Sequence, residues 1–442
     1  MKDTQIYDLV KKETQRQTRG IELIASENYA SRHVRAVLSS VLTNKYSEGY
    51  PKARYYGGNE VIDEVEIIAQ ERAKKLFGVP FANVQPYSGS PANFSVYVAT
   101  CKPGDTIMGQ ELTAGGHLTH GYKVSATALF FNSVQYGVRS KPGGKHNDLF
   151  DYAAIRALAK KVKPKLIWVG ATTYPLAFHY EEFAKIADEV GAYLAADIAH
   201  VAGLIAGGAH PSPVPYAHIV TTTTHKTLRG PRGAIVMVTE KGLKKDPDLP
   251  AKINKAIFPG LQGGPHDNQT AAIAVALFEA LQPSFKTYAK KVIKNAQALA
   301  AELQKGGLNL VAGRTENHQV VVDLTSTHGP GAGIFAEKAL DLVYLTLNKN
   351  SVPGEQSSPF YPSGVRIGTP VATTRGMGPA EMKKIGAIIV AVFELIKPYK
   401  LPQKLSERSA YIDAFVKDLA QNKDIKRMGK QVAALGRQFP LV

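Results

Sequence analysis

The sequence has a single cysteine, Cys101, among 442 residues. That excludes an internal disulfide and suits a chain that folds in a reducing compartment. No stretch offers the run of about 20 apolar residues that a bilayer span requires. The opening "MKDTQIYDLVKKETQRQ" lacks the apolar core of a secretory signal. These absences lead us to expect a cytoplasmic protein with no membrane partner. Acidic residues are the scarcer charge, 37 Asp and Glu against 54 Lys and Arg, for a formal net charge of +17. Such a balance raises a nucleic-acid partner. The excess, however, is scattered through "KKVKPK", "KGLKK", "KKVIKNAQ" and "KDIKRMGKQ", with no arginine-rich block and no interleaved aromatics. A basic solvated surface, which also serves an anionic small substrate or cofactor, accounts for it.

Internal repeats and low-complexity linkers are missing too, and what remains is alternation. An apolar fraction of 44% with 21% charged residues is ordinary for a globular chain, and the length suits two domains. "EVIDEVEIIAQERAKKLFG" has apolar residues at helical spacing and a glycine stop at Gly78. Short apolar runs at "DTIMG", "ALFFNSV", "KLIWVGAT", "AYLAAD", "HIVTTTT" and "AIVMV" alternate with helical stretches such as "YEEFAKIADEVG". That pattern predicts an α/β domain with a mostly parallel sheet. From about Pro283 a long amphipathic helix leads into the α+β pattern of a smaller domain. The expected division is an N-terminal arm (1–24), a large domain (25–282) and a small C-terminal domain (283–442).

Three strand ends carry chemistry. In "VTTTTHKTLRGPRG" a β-branched run leads to His225 and Lys226 at the mouth of a loop, with Arg229 and Arg232 continuing a positive path. "AYLAADIAHVAG" ends its apolar run at Asp197, with His200 three residues on. "VQPYSGSPAN" sets Ser88, Gly89 and Ser90 before a helix, where free backbone N–H groups and the helix dipole favour an anion. Ligands of such sheets bind at the carboxyl ends of the strands. A lysine amine, a carboxylate and an anion cradle together match the needs of pyridoxal phosphate: a Schiff-base partner, a group that keeps the pyridine nitrogen protonated, and a phosphate site. No metal is expected.

The segments "IELIASENYAS", "LTNKYSEGYP", "RYYGGNEVID", "GGHLTHG", "HPSPVPYAHIVTTTTHKTLRGPRG", "FPGLQGGP", "NKNSVP" and "GVRIGTP" closely resemble the serine hydroxymethyltransferases, in the right order along the chain. The resemblance implies fold type I of the pyridoxal-phosphate enzymes, like aspartate aminotransferase. It also implies folate-dependent interconversion of serine and glycine, and a homodimer with shared active sites, with assembly into a tetramer left open.

Position by position, Lys226 resembles the Schiff-base lysine and Asp197 the partner of the pyridine nitrogen. His117 is similar to the imidazole stacked on the ring, and Thr172 and His200 to groups near its phenolic oxygen. Ser88, Gly89 and Ser90 match the phosphate loop. Gly263 and Gly264 resemble glycines lent to the phosphate by the neighbouring subunit, and His225 accompanies the lysine. Arg366 resembles the guanidinium that takes the substrate carboxylate, helped by Ser26. Glu48 resembles the acid–base glutamate between folate and hydroxymethyl group. Tyr46 and Tyr56 resemble hydroxyls lining the site, the first from the partner. Leu112, Gly116, Leu118, Asn348, Ser358, Pro359 and Phe360 match positions around the tetrahydrofolate co-substrate.

The chain departs from the pattern at Pro91, Ala114 and His179, where glutamine, histidine and aspartate are usual. Pro91 removes an N–H at a helix start, where its loss matters least. A folate-independent aldolase of 3-hydroxy amino acids would use the same cofactor machinery, and "NKNSVP" and "GGHLTHG" weigh against it because they resemble folate-site segments.

Overall fold

The computed structural model describes residues 3–441. The chain forms two compact units, one of residues 30–290, the other of the N-terminal segment up to Tyr29 with the residues from Lys291 onward. The helix Pro283–Lys305 continues through the junction.

The 30–290 unit is built on seven strands: β1 (Phe81–Asn83), β2 (Thr106–Gln110), β3 (Asn132–Tyr136), β4 (Leu166–Val169), β5 (Tyr193–Asp197), β6 (Ile219–Thr223) and β7 (Ala234–Val238). Their order is β1-β7-β6-β5-β4-β2-β3. Only β7 runs against its neighbours, so the sheet is mostly parallel as expected. β4, β6 and β7 are buried along their whole length. That is why they read as continuous apolar or β-branched runs instead of alternating ones. Trp168, Ala195, Ile219 and Val236 pack with Ala92, Val96 and Tyr97 of helix Gly89–Thr100 and with Leu249, Ile253 and Ile257 of helix Leu249–Ile257. Each large side chain so buried contributes about 1.5–3 kcal/mol. Because β1 and β2–β6 point the same way, Gln110, Val169, Asp197 and Thr223 all end at one edge of the sheet. The helix that follows β1 starts at that edge.

One expected strand is half helix. The first three residues of "ALFFNSV" belong to a short helix, Ala126–Phe130, and β3 starts only at Asn132. Leu129 and Phe130 are exposed. A short apolar run does not distinguish the two states.

The other unit holds an antiparallel sheet of β8 (Asn309–Leu310), β9 (Gln319–Asp323), β10 (Asn348–Asn350) and β11 (Gly364–Gly368), in the order β8-β9-β11-β10. Helices Gly333–Leu342, Pro379–Ile396, Leu405–Leu419 and Lys423–Gln438 contribute Phe335, Leu340, Ile385, Phe393, Phe415 and Met428 to its core. Ile21–Glu22 pairs in parallel with Leu345–Thr346, which ties the N-terminal segment to this unit. A Cβ on Gly368 would lie 2.3 Å from the Cα of Ala25. Only glycine there lets the segment carrying Ser26 cross the end of the strand that carries Arg366.

Candidate active site

Lys226 follows β6 by three residues, and its Nζ donates to Thr223 Oγ1 at 2.9 Å. The helix Gly89–Thr100 begins against that same threonine: a Cβ on Gly89 would meet the Thr223 methyl at 2.8 Å. Ser88 is the N-cap but makes no capping bond, and the first intrahelical bond runs from the Ala92 amide to the Ser88 carbonyl. The amides of Gly89 and Ser90 therefore lie outside the helical ladder. Pro91 removes an N–H from the turn that does not use it.

Asp197 ends β5, beside β6, with its residue in register with Thr221. Its Oδ2 accepts from Asn93 Nδ2 at 2.8 Å and from His120 Nε2 at 3.2 Å, and its Oδ1 from the Ala199 amide at 3.0 Å. Burial opposes the charge, but His120, His117 and Asn93 outweigh it and hold the carboxyl below its usual range. Asn93 is oriented by Thr221, whose hydroxyl donates to its Oδ1 at 2.7 Å. It also donates to Thr119 Oγ1 at 2.8 Å, which leaves that hydroxyl free to donate to His117 Nδ1 at 2.7 Å. His117 Nδ1 also accepts from the Thr119 amide, so the neutral ring carries its proton on Nε2. His120 stacks on Trp168, with centroids 5.0 Å apart.

Thr172 donates to the Gly115 and Gly116 carbonyls, both at 3.0 Å, fixing the turn that carries Leu112, Gly116 and His117. Leu118 is exposed. His200 is buried, its carbonyl accepting from Thr227 Oγ1 at 2.9 Å. The positive loop is only half realised. Arg229 turns away to lie 4.4 Å over the Tyr288 ring, while Arg232 is exposed.

Burial first, then His120 and Lys226, push His117 down to about 4. Burial, Lys226 and Arg232 push His225 down to about 3, and its Nδ1 is buried without a hydrogen-bond partner. Each is a base whose folded pKa lies below its ordinary 6.5. As the pH falls, the unfolded chain takes up these protons first, so stability is full above 6.5 and declines toward the folded values. The thermal midpoint of cofactor-free protein is thus expected to drop between pH 6.5 and 4, less steeply in His225→Asn.

A second group assembles in the same unit. Tyr46 OH donates to Glu48 Oε1 at 3.4 Å, and the Tyr46 and Tyr56 rings meet edge to face at 5.2 Å. A Cβ on Gly263 would lie 3.0 Å from Glu48 Oε1, and one on Gly264 would lie 3.3 Å from Tyr46 Cε1. Glu48 is held on both sides, since Arg54 donates to the carbonyls of Ser47 and Gly49 and Ser47 Oγ donates to Asp267 at 2.6 Å.

In the other unit, Arg366 sits on β11 opposite Asn348 of β10 and donates from Nε to Asn348 Oδ1 at 3.2 Å. It is buried, and burial pushes its pKa down to about 10, so it stays charged at neutral pH. Ser358, Pro359 and Phe360 form a turn closed by the Tyr361 amide on the Ser358 carbonyl, with Phe360 81% exposed. Sequence reasoning passed over Asn93 and His120. The second histidine of "GGHLTHG" was the one visible signal.

A family model described as serine hydroxymethyltransferase matches residues 1–389. The serine hydroxymethyltransferase of Acidothermus cellulolyticus is 54% identical over 387 residues, 88% of this chain and 87% of that protein. The chain belongs to the serine hydroxymethyltransferase family. It is accordingly a fold type I pyridoxal-phosphate enzyme that converts serine and tetrahydrofolate to glycine and the methylene folate. The aldolase alternative is not favoured. Among the described residues no helix is long and apolar enough to cross a membrane.

Proposed function

We propose that the ends of β5 and β6 and the N-terminus of helix Gly89–Thr100 hold the pyridoxal phosphate, with Lys226 as its amine partner. One juxtaposition carries this. The lysine, the start of the helix and the buried carboxylate converge on Thr221 and Thr223 of a single strand. The residues fit the group. Gly89 leaves space that a side chain would fill, the first helical amides lie outside the ladder, and His225 Nδ1 is a buried polar atom without a partner. When bound, the cofactor supplies an aldehyde for an amine and a ring that draws off the electron pair left when a bond to the amino acid Cα breaks.

Each candidate side chain has a task. Ser88, Gly89 and Ser90 bind the phosphate. Asp197 holds a proton at the pyridine nitrogen, a role that suits a carboxyl kept ionised by its neighbours. His117, neutral at physiological pH, excludes water from the ring, and Thr172 and His200 serve the phenolic oxygen. Arg366, with Ser26, takes the serine carboxylate in a fork of two parallel N–H groups. Glu48 moves protons between folate and hydroxymethyl group, while Leu112, Gly116, Leu118, Asn348 and residues 358–360 bind the folate.

We further propose a cytoplasmic homodimer in which Tyr46, Gly263 and Gly264 complete the partner's site, while Tyr56 lines the site as a hydroxyl. Tyr46, Tyr55, Tyr56 and Leu261 around that group are all exposed, an apolar face that suits a partner.

Steady-state kinetics with serine and tetrahydrofolate test the substrate assignment. Loss of a charge-assisted pair costs about 1.5–3 kcal/mol, so Arg366→Ala should raise the serine KM at least about tenfold. Arg366→Lys should rescue only in part, because a point charge cannot reproduce the fork. An unchanged KM would make Arg366 a structural residue. Serine cleavage in the parent should depend on tetrahydrofolate, and rates indifferent to it would restore the aldolase.

A further inference from the structure

We propose that His146, His179 and Glu181 form a binding site for a divalent transition-metal ion, with zinc the best match to the donors. One ligand atom from each lies within 4.8 Å of the others. The imidazoles of His146 and His179 stack with centroids 3.8 Å apart and planes 26° from parallel, and His179 Nδ1 lies 3.2 Å from Glu181 Oε1. His146 Nε2 is buried and faces Glu182 Oε1 at 3.5 Å.

The scaffold is ordered before any ion arrives. His146 sits in a tight hairpin closed by the Gly143–Asp148 bridge. The Asp148 carboxylate pins that hairpin by accepting from Tyr152 OH at 2.6 Å and from the Phe150 amide at 3.1 Å. His179 is the N-cap of helix Tyr180–Glu189 yet makes no capping bond, so its ring has no task in the helix. Glu181 stands in the first turn. Lys185 Nζ at 2.9 Å and Lys145 Nζ at 3.9 Å engage Glu182, while Glu181 turns its carboxylate to His179.

Two imidazoles and one carboxylate, with water in the fourth position, are a tetrahedral zinc set with bonds of about 2.0–2.2 Å. Drawing the donors onto one ion requires the two rings to turn out of their stacked arrangement, about terminal torsions that are soft. The bound ion would join the hairpin to the start of the helix.

The test uses cofactor-loaded enzyme, treated with chelator and then titrated with Zn²⁺ by calorimetry and with Co²⁺ by visible absorption. The expected result is one equivalent per chain, the intense cobalt bands of a four-coordinate ion, and a higher thermal midpoint with zinc. His179→Ala and Glu181→Gln should each weaken binding at least about tenfold while leaving serine turnover and the metal-free thermal midpoint near the parent's. Two results would overturn the proposal: no saturable equivalent in the parent, or binding that survives His146→Ala combined with His179→Ala. The latter would assign the ion to other histidines and leave the stacked pair as a polar contact.

Discussion

Lys226→Ala is expected to abolish the visible absorption of cofactor-loaded protein and to lower serine turnover at least about 10³-fold, since removing a covalent nucleophile commonly costs that much or more. The effect should be chemical and not structural. Lys226 makes a hydrogen bond to the Thr223 hydroxyl at the end of a strand that is buried on both faces regardless. The flanking chain is held by other bonds: the Thr224 amide to the Gly233 carbonyl, and the Gly230 amide to the Thr224 carbonyl. Far-ultraviolet dichroism and the thermal midpoint of the cofactor-free variant should therefore match the parent. A variant that keeps the visible band and turns over serine would require another amine.

Asp197→Asn should lower kcat by about 10²- to 10³-fold, the usual cost of one oriented electrostatic stabiliser, with cofactor still bound. The substitution preserves shape and removes the charge, so the ring nitrogen loses the group that keeps it protonated. It also disturbs the network. The carboxylate accepts from Asn93 and His120 on one oxygen and from the Ala199 amide on the other. An amide must turn its NH₂ toward one of these donors, leaving at least one of them unpaired at about 1–3 kcal/mol. The variant should thus melt earlier as well as react more slowly. A kcat within a few-fold of the parent would show that the proton on the ring does not depend on this residue.

Much of this site was legible because the chemistry sits where the local pattern changes. The threonine run reads as a strand because β-branched residues suit a pleated, buried surface, and Lys226 stands out by ending it. Asp197 is visible for the same reason, as a charge closing an apolar run. Asn93 is not, since it lies inside a helix whose spacing says only that one face is buried. Its role comes from the crossing of Thr221, Asp197 and Thr119, on three separate segments.

Arg229 was misjudged on charge alone, because the rings of Tyr288 and Phe285 lie 59 and 56 residues further along the chain. The pairing of Ile21–Glu22 with Leu345–Thr346 leaves no local trace either. Two-residue strands carry no periodicity, and the partners lie more than 300 residues apart. The His146–His179 pair shows the opposite limit. His179 is noticeable in the sequence as a departure, but only folding brings it to a hairpin more than 30 residues upstream.

Borohydride treatment of the cofactor-loaded enzyme, followed by digestion and mass mapping, tests the central assignment most directly, because reduction fixes the pyridoxyl group to whichever amine holds it. The expected adduct lies on the peptide containing "TTTTHKTLR", at Lys226, in one copy per chain. An adduct on any other lysine, or none on this peptide while the visible band is lost, would contradict the assignment.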